Sequence, residues 1–232
     1  MNGPTPRYGV DAPPVPALMA LAGAGSLTVA ARRRGGRIVT SVVGAALLAS
    51  AGVYLHTSLR GKFRIWEEIL READLTGRED LLDLGCGRGA VLIAAAARLP
   101  EGRATGVDLW TKDQSGNSPA ATLANAAAAG VADRVDVQTA DMTALPFADE
   151  SFDVVTSALA IHNVGSSEGR YRALDEAMRV LRPGGQLLLA DLTPVAGSYT
   201  AHLGQGTLRR LGPGYWYGGP WFGVTLLRAV KG

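Results

Sequence analysis

The chain has 232 residues with 23 Lys+Arg, 21 Asp+Glu, three His and a single Cys. That length holds one α/β domain with an appendage and excludes two full-sized enzyme domains. With 47% apolar and 19% charged residues the chain builds a core, and one Cys with three His leaves neither an internal disulfide nor a zinc cluster. The charge is unevenly placed. Residues 1–57 carry five arginines (Arg7, Arg32, Arg33, Arg34, Arg37) against the single acid Asp11, a balance of +4. Residues 58–232 carry 18 basic and 20 acidic side chains. A balance of −2 gives that part no electrostatic footprint for nucleic acid, so no nucleic-acid partner is expected.

Five prolines in residues 1–16 predict an irregular leader. Two uncharged apolar runs follow, Val15–Ala31 and Ile38–Leu55, separated by an arginine-rich turn. As helices they would be about 25–27 Å long, slightly under the roughly 30 Å hydrocarbon core. Both are rich in Ala, Gly and Ser, which lets paired helices approach closely. The positive charges follow the first run, which argues against a signal peptide. The expectation is a membrane-associating hairpin that contacts lipid through residues 15–55. The other reading is a helical hairpin buried against the soluble domain. His56, just after the second run, reads as an interfacial residue.

From Gly61 the pattern alternates helix and strand. Phe63, Trp66, Ile69 and Leu70 share one face of a leading helix. Strands are expected at 80–84, 104–109, 135–140, 152–157 and 186–191, with helices at 89–99, 119–129 and 170–181. After Asp191 the pattern weakens, and 207–211 with 222–229 suggest an antiparallel pair around Gly218-Gly219-Pro220. The predicted domains are therefore 1–57, a leader with two apolar helices, and 58–232, an α/β domain.

The strongest local signal is Leu81-Leu-Asp-Leu-Gly-Cys-Gly-Arg-Gly89, a strand entering a glycine-rich turn and then a helix. Glycines at 85, 87 and 89 permit a tight turn and close approach of a ligand. Asp108, about twenty residues on, is placed to accept from ribose hydroxyls. Gly85-x-Gly87-x-x-Ala90 also satisfies a dinucleotide fingerprint. Asp83 distinguishes the readings, because a carboxylate there suits an ammonium group and repels a pyrophosphate. Asp141, after the third strand, is placed to accept from an adenine amino group.

These stretches, with GVDLW (106–110), ADMTALPFADESFDVVTS (140–157) and RVLRPGGQLLLAD (179–191), resemble the class I S-adenosylmethionine-dependent methyltransferases. The resemblance is to the small-molecule type that includes quinone-biosynthesis methyltransferases, and it spans about half the chain. It implies a Rossmann-like seven-stranded sheet with six strands parallel and one antiparallel, here joined to an N-terminal apolar helical hairpin. It implies S-adenosylmethionine at the carboxyl ends of the first four strands. Asp83, Gly85, Gly87 and Gly89 would surround its methionine part, Asp108 its ribose, and Leu109 or Trp110 with Asp141 and Met142 its adenine. No metal is expected, because the sulfonium is already activated. The loop 110–118 is longer and more polar than the family's, and the short tail suggests a trimmed last helix and strand pair.

His162 follows the fourth strand, facing where the methyl group would lie. It reads either as a general base or as a polar loop residue that donates to substrate. Cys86 reads as a space-filling residue inside the turn. Tyr215, Trp216, Tyr217, Trp221 and Phe222 read as packing of the antiparallel edge, as substrate wall or as a bilayer-facing lip. His202 shows no partner in the sequence. The expected activity is methyl transfer to a small lipophilic acceptor at the membrane, with the catalytic domain cytoplasmic. A noncatalytic cofactor-binding protein stays open, and a nicotinamide-dependent oxidoreductase is disfavoured by Asp83 and Pro183-Gly-Gly185.

Overall fold

The structure, a computed structural model, describes residues 5–32, 35–111 and 116–232. Helix α1 (Pro14–Arg32) folds back on α2 (Arg37–His56). A five-residue π turn (Thr57–Gly61) carries α2 without a break into α3 (Lys62–Glu72), making one helical rod over Arg37–Glu72. The predicted division at residue 57 therefore falls inside a continuous helix. The α/β part then runs β1 (Asp80–Leu84), α4 (Ala90–Ala96), β2 (Arg103–Asp108), α5 (Pro119–Ala128), β3 (Val135–Thr139), β4 (Phe152–Ala158), α6 (Ser167–Val180), β5 (Leu181–Leu192), α7 (Thr193–Leu203), β6 (Thr207–Arg210) and β7 (Val224–Val230).

The seven strands form one sheet in the order β3-β2-β1-β4-β5-β7-β6. Only β7 runs against its neighbours, pairing antiparallel with both β5 and β6. This is the expected Rossmann-like sheet, with β4 at its centre and β1 beside it. Leu81 and Leu82 are fully buried, as are Leu187, Leu188 and Leu189 of β5. Near-continuous apolar strands of this kind follow from helices covering both faces of a parallel sheet. Trp66, Ile69 and Leu70 of α3 pack with α4 on one face, and Ala173, Leu174 and Ala177 of α6 pack on the other.

The tail holds both the last helix and the strand pair. Pro194 sits in the first turn of α7 and Gly204 ends it in left-handed backbone (φ +64°), as helix start and stop signals require. The helix was hidden because Ala196 and Tyr199 are its only buried residues, too few for a visible period. His202 also has partners: Nε2 lies 2.7 Å from Asp175 Oδ1, and the ring stacks on Tyr171.

The hairpin is not buried against the domain. Among its described residues Leu21 is 70% exposed and Ile38 80%, and 17% of either apolar span is covered. The two helices touch at Gly23 and Gly44, where an added Cβ on either would stand 2.9 Å from the other's carbonyl oxygen. Among the described residues it is the hairpin base that meets the α/β part. Met19 and the Ser50 carbonyl close on Gly218, while Thr57 Oγ1 donates to the Trp216 carbonyl at 2.7 Å. Gly61 packs so closely on Gly214 that a Cβ would collide with its carbonyl oxygen.

Candidate active site

The glycine turn between β1 and α4 is built from left-handed backbone, with φ of +71° at Gly85, +50° at Gly87 and +85° at Gly89. A Cβ on Gly85 would collide with the Ala160 methyl, so the turn and the end of β4 approach as only glycine allows. Cys86 fills space as expected: its Sγ packs over Gly106, 2.7 Å from where a Cβ would stand, and burial pushes its thiol well above the ordinary range.

The carboxyl ends of β1, β2 and β4 open on a cavity of about 890 Å³. Asp83, Gly85, Gly87, Asp108, Leu109, Asp141, Met142 and His162 all line it. Gly89 and Trp110 do not. Gly89 caps α4 and packs on Ile93 and Thr122, whereas Trp110 turns to β3 and donates from Nε1 to Thr139 Oγ1 at 2.8 Å. Trp110 holds left-handed backbone (φ +56°), a conformation costing about 1–3 kcal/mol. Asp108 Oδ1 holds it there by accepting from its backbone amide at 2.6 Å. Residues 112–115 of the long polar loop lie outside the described residues.

Each acid is already oriented. Asp83 is 2% exposed and accepts from Thr156 Oγ1 at 2.8 Å and from the Leu92 amide at 3.1 Å. Burial pushes its carboxyl up to about 7; the two hydrogen bonds oppose that rise and the nearby Asp108 charge adds to it. Asp108 Oδ2 accepts from the Gly87 amide at 2.8 Å, fixing the turn to the tip of β2. Asp141 Oδ1 accepts from both the amide and the hydroxyl of Thr143. These residues suit S-adenosylmethionine: a Cβ-free turn, a buried carboxyl for an ammonium group, and two further strand-end acids on one cavity.

His162 stands on a short 3₁₀ turn (Ile161–Asn163) after β4. Its Nδ1 lies 2.6 Å from Asp191 Oδ1, and its backbone amide donates to Asp191 Oδ2 at 3.0 Å. Asp191, at the end of β5, is fully buried and also accepts from the Leu192 amide and from Tyr199 Oη. Because an ionised carboxylate only accepts, this arrangement assigns the ring proton to Nδ1 and leaves Nε2 to act as the acceptor.

The far end of the cavity is lined by the hairpin base and the aromatic loop. Val15 and Met19 of α1, Tyr54 of α2, and Lys62 and Trp66 of α3 face Tyr215, Tyr217 and Phe222. The aromatics therefore divide. Tyr215 and Tyr217 are buried in this wall, while Trp221 is 65% exposed. Asp191, Asp11 and Lys62 escaped the sequence reading. Asp191 carries the same signature as Asp83 and Asp108, an acid at the carboxyl end of a strand, and was findable on that ground. Asp11 lies in the proline-rich leader, where no periodicity points to it.

Residues 82–189 match the model of a family described as methyltransferase domain. The chain carries a class I S-adenosylmethionine-dependent methyltransferase domain. The ubiquinone/menaquinone biosynthesis C-methyltransferase of Roseobacter denitrificans is 37% identical over 135 residues, 57% of this chain and 50% of the relative. The 27-O-demethylrifamycin SV methyltransferase of Amycolatopsis mediterranei is 31% identical over 65% of this chain and 52% of its own length. The chain thus spans about half the length of these curated relatives, and the methyltransferase domain is the shared part. The solved structure of the cyclase SpnF superposes with a TM-score of 0.58 at 22% identity, covering 71% of this chain and 80% of that one. That likeness is one of fold, which does not by itself fix the chemistry.

Proposed function

We propose that this protein methylates a small, lipophilic acceptor at the membrane surface, with His162 as general base. The observation that carries the reading is the oriented His162–Asp191 pair on the wall of a single cavity. One end of that cavity is the acid-lined glycine turn, and the other is lined by the hairpin base, largely apolar but with Asp11 and Lys62 in its wall.

Asp83, Gly85, Gly87, Asp108, Leu109, Asp141 and Met142 would hold S-adenosylmethionine, which when bound supplies an electrophilic sulfonium methyl group. Asp83, ionised beside an ammonium group, binds and orients; it takes no part in the transfer. His162 accepts at Nε2 the proton that a hydroxyl-bearing nucleophile must lose, and Asp191 stabilises the resulting imidazolium. The leader and hairpin base shield the far end from water, so orientation and desolvation supply much of the rate. No metal enters this scheme.

Two features support a lipophilic acceptor. Helices α1 and α2, of 19 and 20 residues, are long enough to cross about 30 Å of hydrocarbon and are bare over most of their surface. The relative from Roseobacter denitrificans is named for ubiquinone and menaquinone biosynthesis, which suggests a ring-shaped, lipophilic acceptor. Lipid contact through residues 15–55 and a cytoplasmic catalytic domain belong to the same reading.

The test is transfer of labelled methyl from S-adenosylmethionine, offering full-length protein a membrane-lipid extract and a soluble-metabolite extract separately. Label entering the organic phase is the expected outcome. Label confined to soluble products would remove the lipophilic acceptor. Cofactor binding without label in either would leave a binding protein.

A further inference from the structure

Lys62 is a buried charge that the chemistry above does not use. It opens α3 immediately after the π turn, and its side chain is 8% exposed although it lines the cavity. Its Nζ lies 2.7 and 2.8 Å from the two carboxylate oxygens of Asp11. Among the described residues these are its only hydrogen-bond acceptors. An ammonium has three N–H donors, so one is left for an oxygen inside the cavity. The Phe63 ring stands 5.4 Å from Nζ, with Trp66, Tyr215 and Phe222 on the same apolar wall.

A mere staple for the leader would not need the lysine. Asp11 already has hydroxyl donors in Ser58 (3.1 Å) and Tyr217 (2.8 Å), and its carbonyl accepts from Tyr54 Oη at 3.0 Å. Desolvating an ammonium is costly, and a buried ion pair seldom adds net stability over apolar packing. The hydroxyl-lined carboxylate instead presents a cation to the cavity at a fixed position. Burial and the Asp11 charge push the Tyr217 phenol well above its ordinary range, so Tyr217 stays a neutral donor and does not compete as an anion.

We propose that Lys62, held by Asp11, is an acceptor-binding residue that takes the oxygen of a phenol or enol on a ring-shaped acceptor. The ammonium favours the anionic form of that oxygen, and the aromatic wall takes the ring. Val15 and Met19 of the hairpin line the same cavity and offer apolar surface to a tail. The appendage is on this account part of the acceptor site as well as an anchor. The inference rests on the methyltransferase reading.

The experiment uses full-length protein in nonionic detergent, saturated with S-adenosylhomocysteine. Calorimetry compares 1-naphthol with 1-methylnaphthalene, which has the same shape and no acidic oxygen. The wild type is expected to prefer naphthol by roughly tenfold or more, as one charged hydrogen bond allows. Lys62→Met should bring that preference under about threefold with S-adenosylhomocysteine affinity unchanged. Lys62→Gln, which keeps a donor for Asp11, should do the same if the Met variant fails to fold. A staple alone predicts a lower melting temperature with the preference intact, which would overturn the proposal. Equal binding of the two probes by the wild type, or binding of neither, would overturn it as well. Failure to bind S-adenosylhomocysteine at all would instead sink the methyltransferase reading.

Discussion

Asp191 Oδ1 and His162 Nδ1 stand 2.6 Å apart, joining the end of β5 to the turn after β4. Among the described residues Asp191 receives four donors, two of them from His162 itself. With its carboxylate saturated and fully buried, the imidazole is held in one orientation and one tautomer. His162→Gln is expected to lower kcat by roughly 10²–10⁴-fold with cofactor affinity unchanged. Unchanged turnover in this variant would leave His162 as a binding residue only.

Asp191→Asn tests the orientation separately from the base. An amide nitrogen facing Nδ1 would favour the opposite tautomer, with Nδ1 accepting and Nε2 protonated. Side-chain nitrogen NMR should show His162 protonated at Nδ1 in the wild type and at Nε2 in the variant. Turnover should fall by roughly a hundredfold or more, as the equivalent loss does in other His–Asp pairs. An unmoved tautomer would separate Asp191 from the chemistry.

The pH response follows from Asp83. Its carboxyl, pushed up to about 7 by burial, is protonated in the free protein at pH 6. Binding an ammonium group beside it requires the proton to leave, so cofactor affinity rises with pH and levels off above about 7. Well below that value the dissociation constant should change by roughly tenfold per pH unit. Calorimetry between pH 5.5 and 8 in buffers of different ionisation enthalpy would count the released proton. Asp83→Asn should bind more weakly and lose this slope.

Much of this site is legible in the chain because strand ends repeat one signature. Asp83, Asp108 and Asp191 each close an apolar run, and the first two were read from their spacing to glycines. His162 was placed correctly after the fourth strand, but its partner was not, since a contact across 29 residues leaves no local periodicity. Trp110 shows the opposite case: the family resemblance offers Leu109 or Trp110 for the adenine wall, Leu109 lines the cavity, and left-handed backbone at Trp110 turns its ring to β3. The acceptor end was the least legible part. It is assembled from the leader, the helical rod and the aromatic loop, which meet only in three dimensions.

Backbone geometry at the turn makes a further prediction. Gly85→Ala places a Cβ on left-handed backbone and into the Ala160 methyl, so it should lose at least about 1–2 kcal/mol of stability and most cofactor binding. Gly25→Ala is the matched control. Gly25 lies in α1 with nothing within 4 Å of an added Cβ, so alanine there should leave cofactor binding untouched. Cofactor binding as intact in Gly85→Ala as in Gly25→Ala would mean that the glycine turn has room for a methyl group.

The hairpin gives the last prediction. Its outer faces carry Leu18, Leu21, Ile38, Val39 and Val42, all more than 60% exposed, a bare apolar surface that water tolerates poorly. Full-length protein is therefore expected to float with phospholipid vesicles, and anionic lipid should strengthen binding through Arg32 and Arg37. Leu21→Glu with Val42→Glu buries two carboxylates in hydrocarbon on insertion and should abolish flotation. Neither residue lines the cavity, so the doubly substituted protein should still bind S-adenosylhomocysteine with wild-type affinity. Gly23→Leu offers a second probe, because the new side chain strikes the Gly44 carbonyl and Leu48 and must force α1 away from α2. Splaying the helices moves the base that carries Val15, Met19 and Tyr54 and should weaken naphthol binding more than cofactor binding. If vesicles are ignored by the wild type as well, the bare faces must be covered by protein, and the mass of the assembly in detergent-free buffer would then exceed one chain.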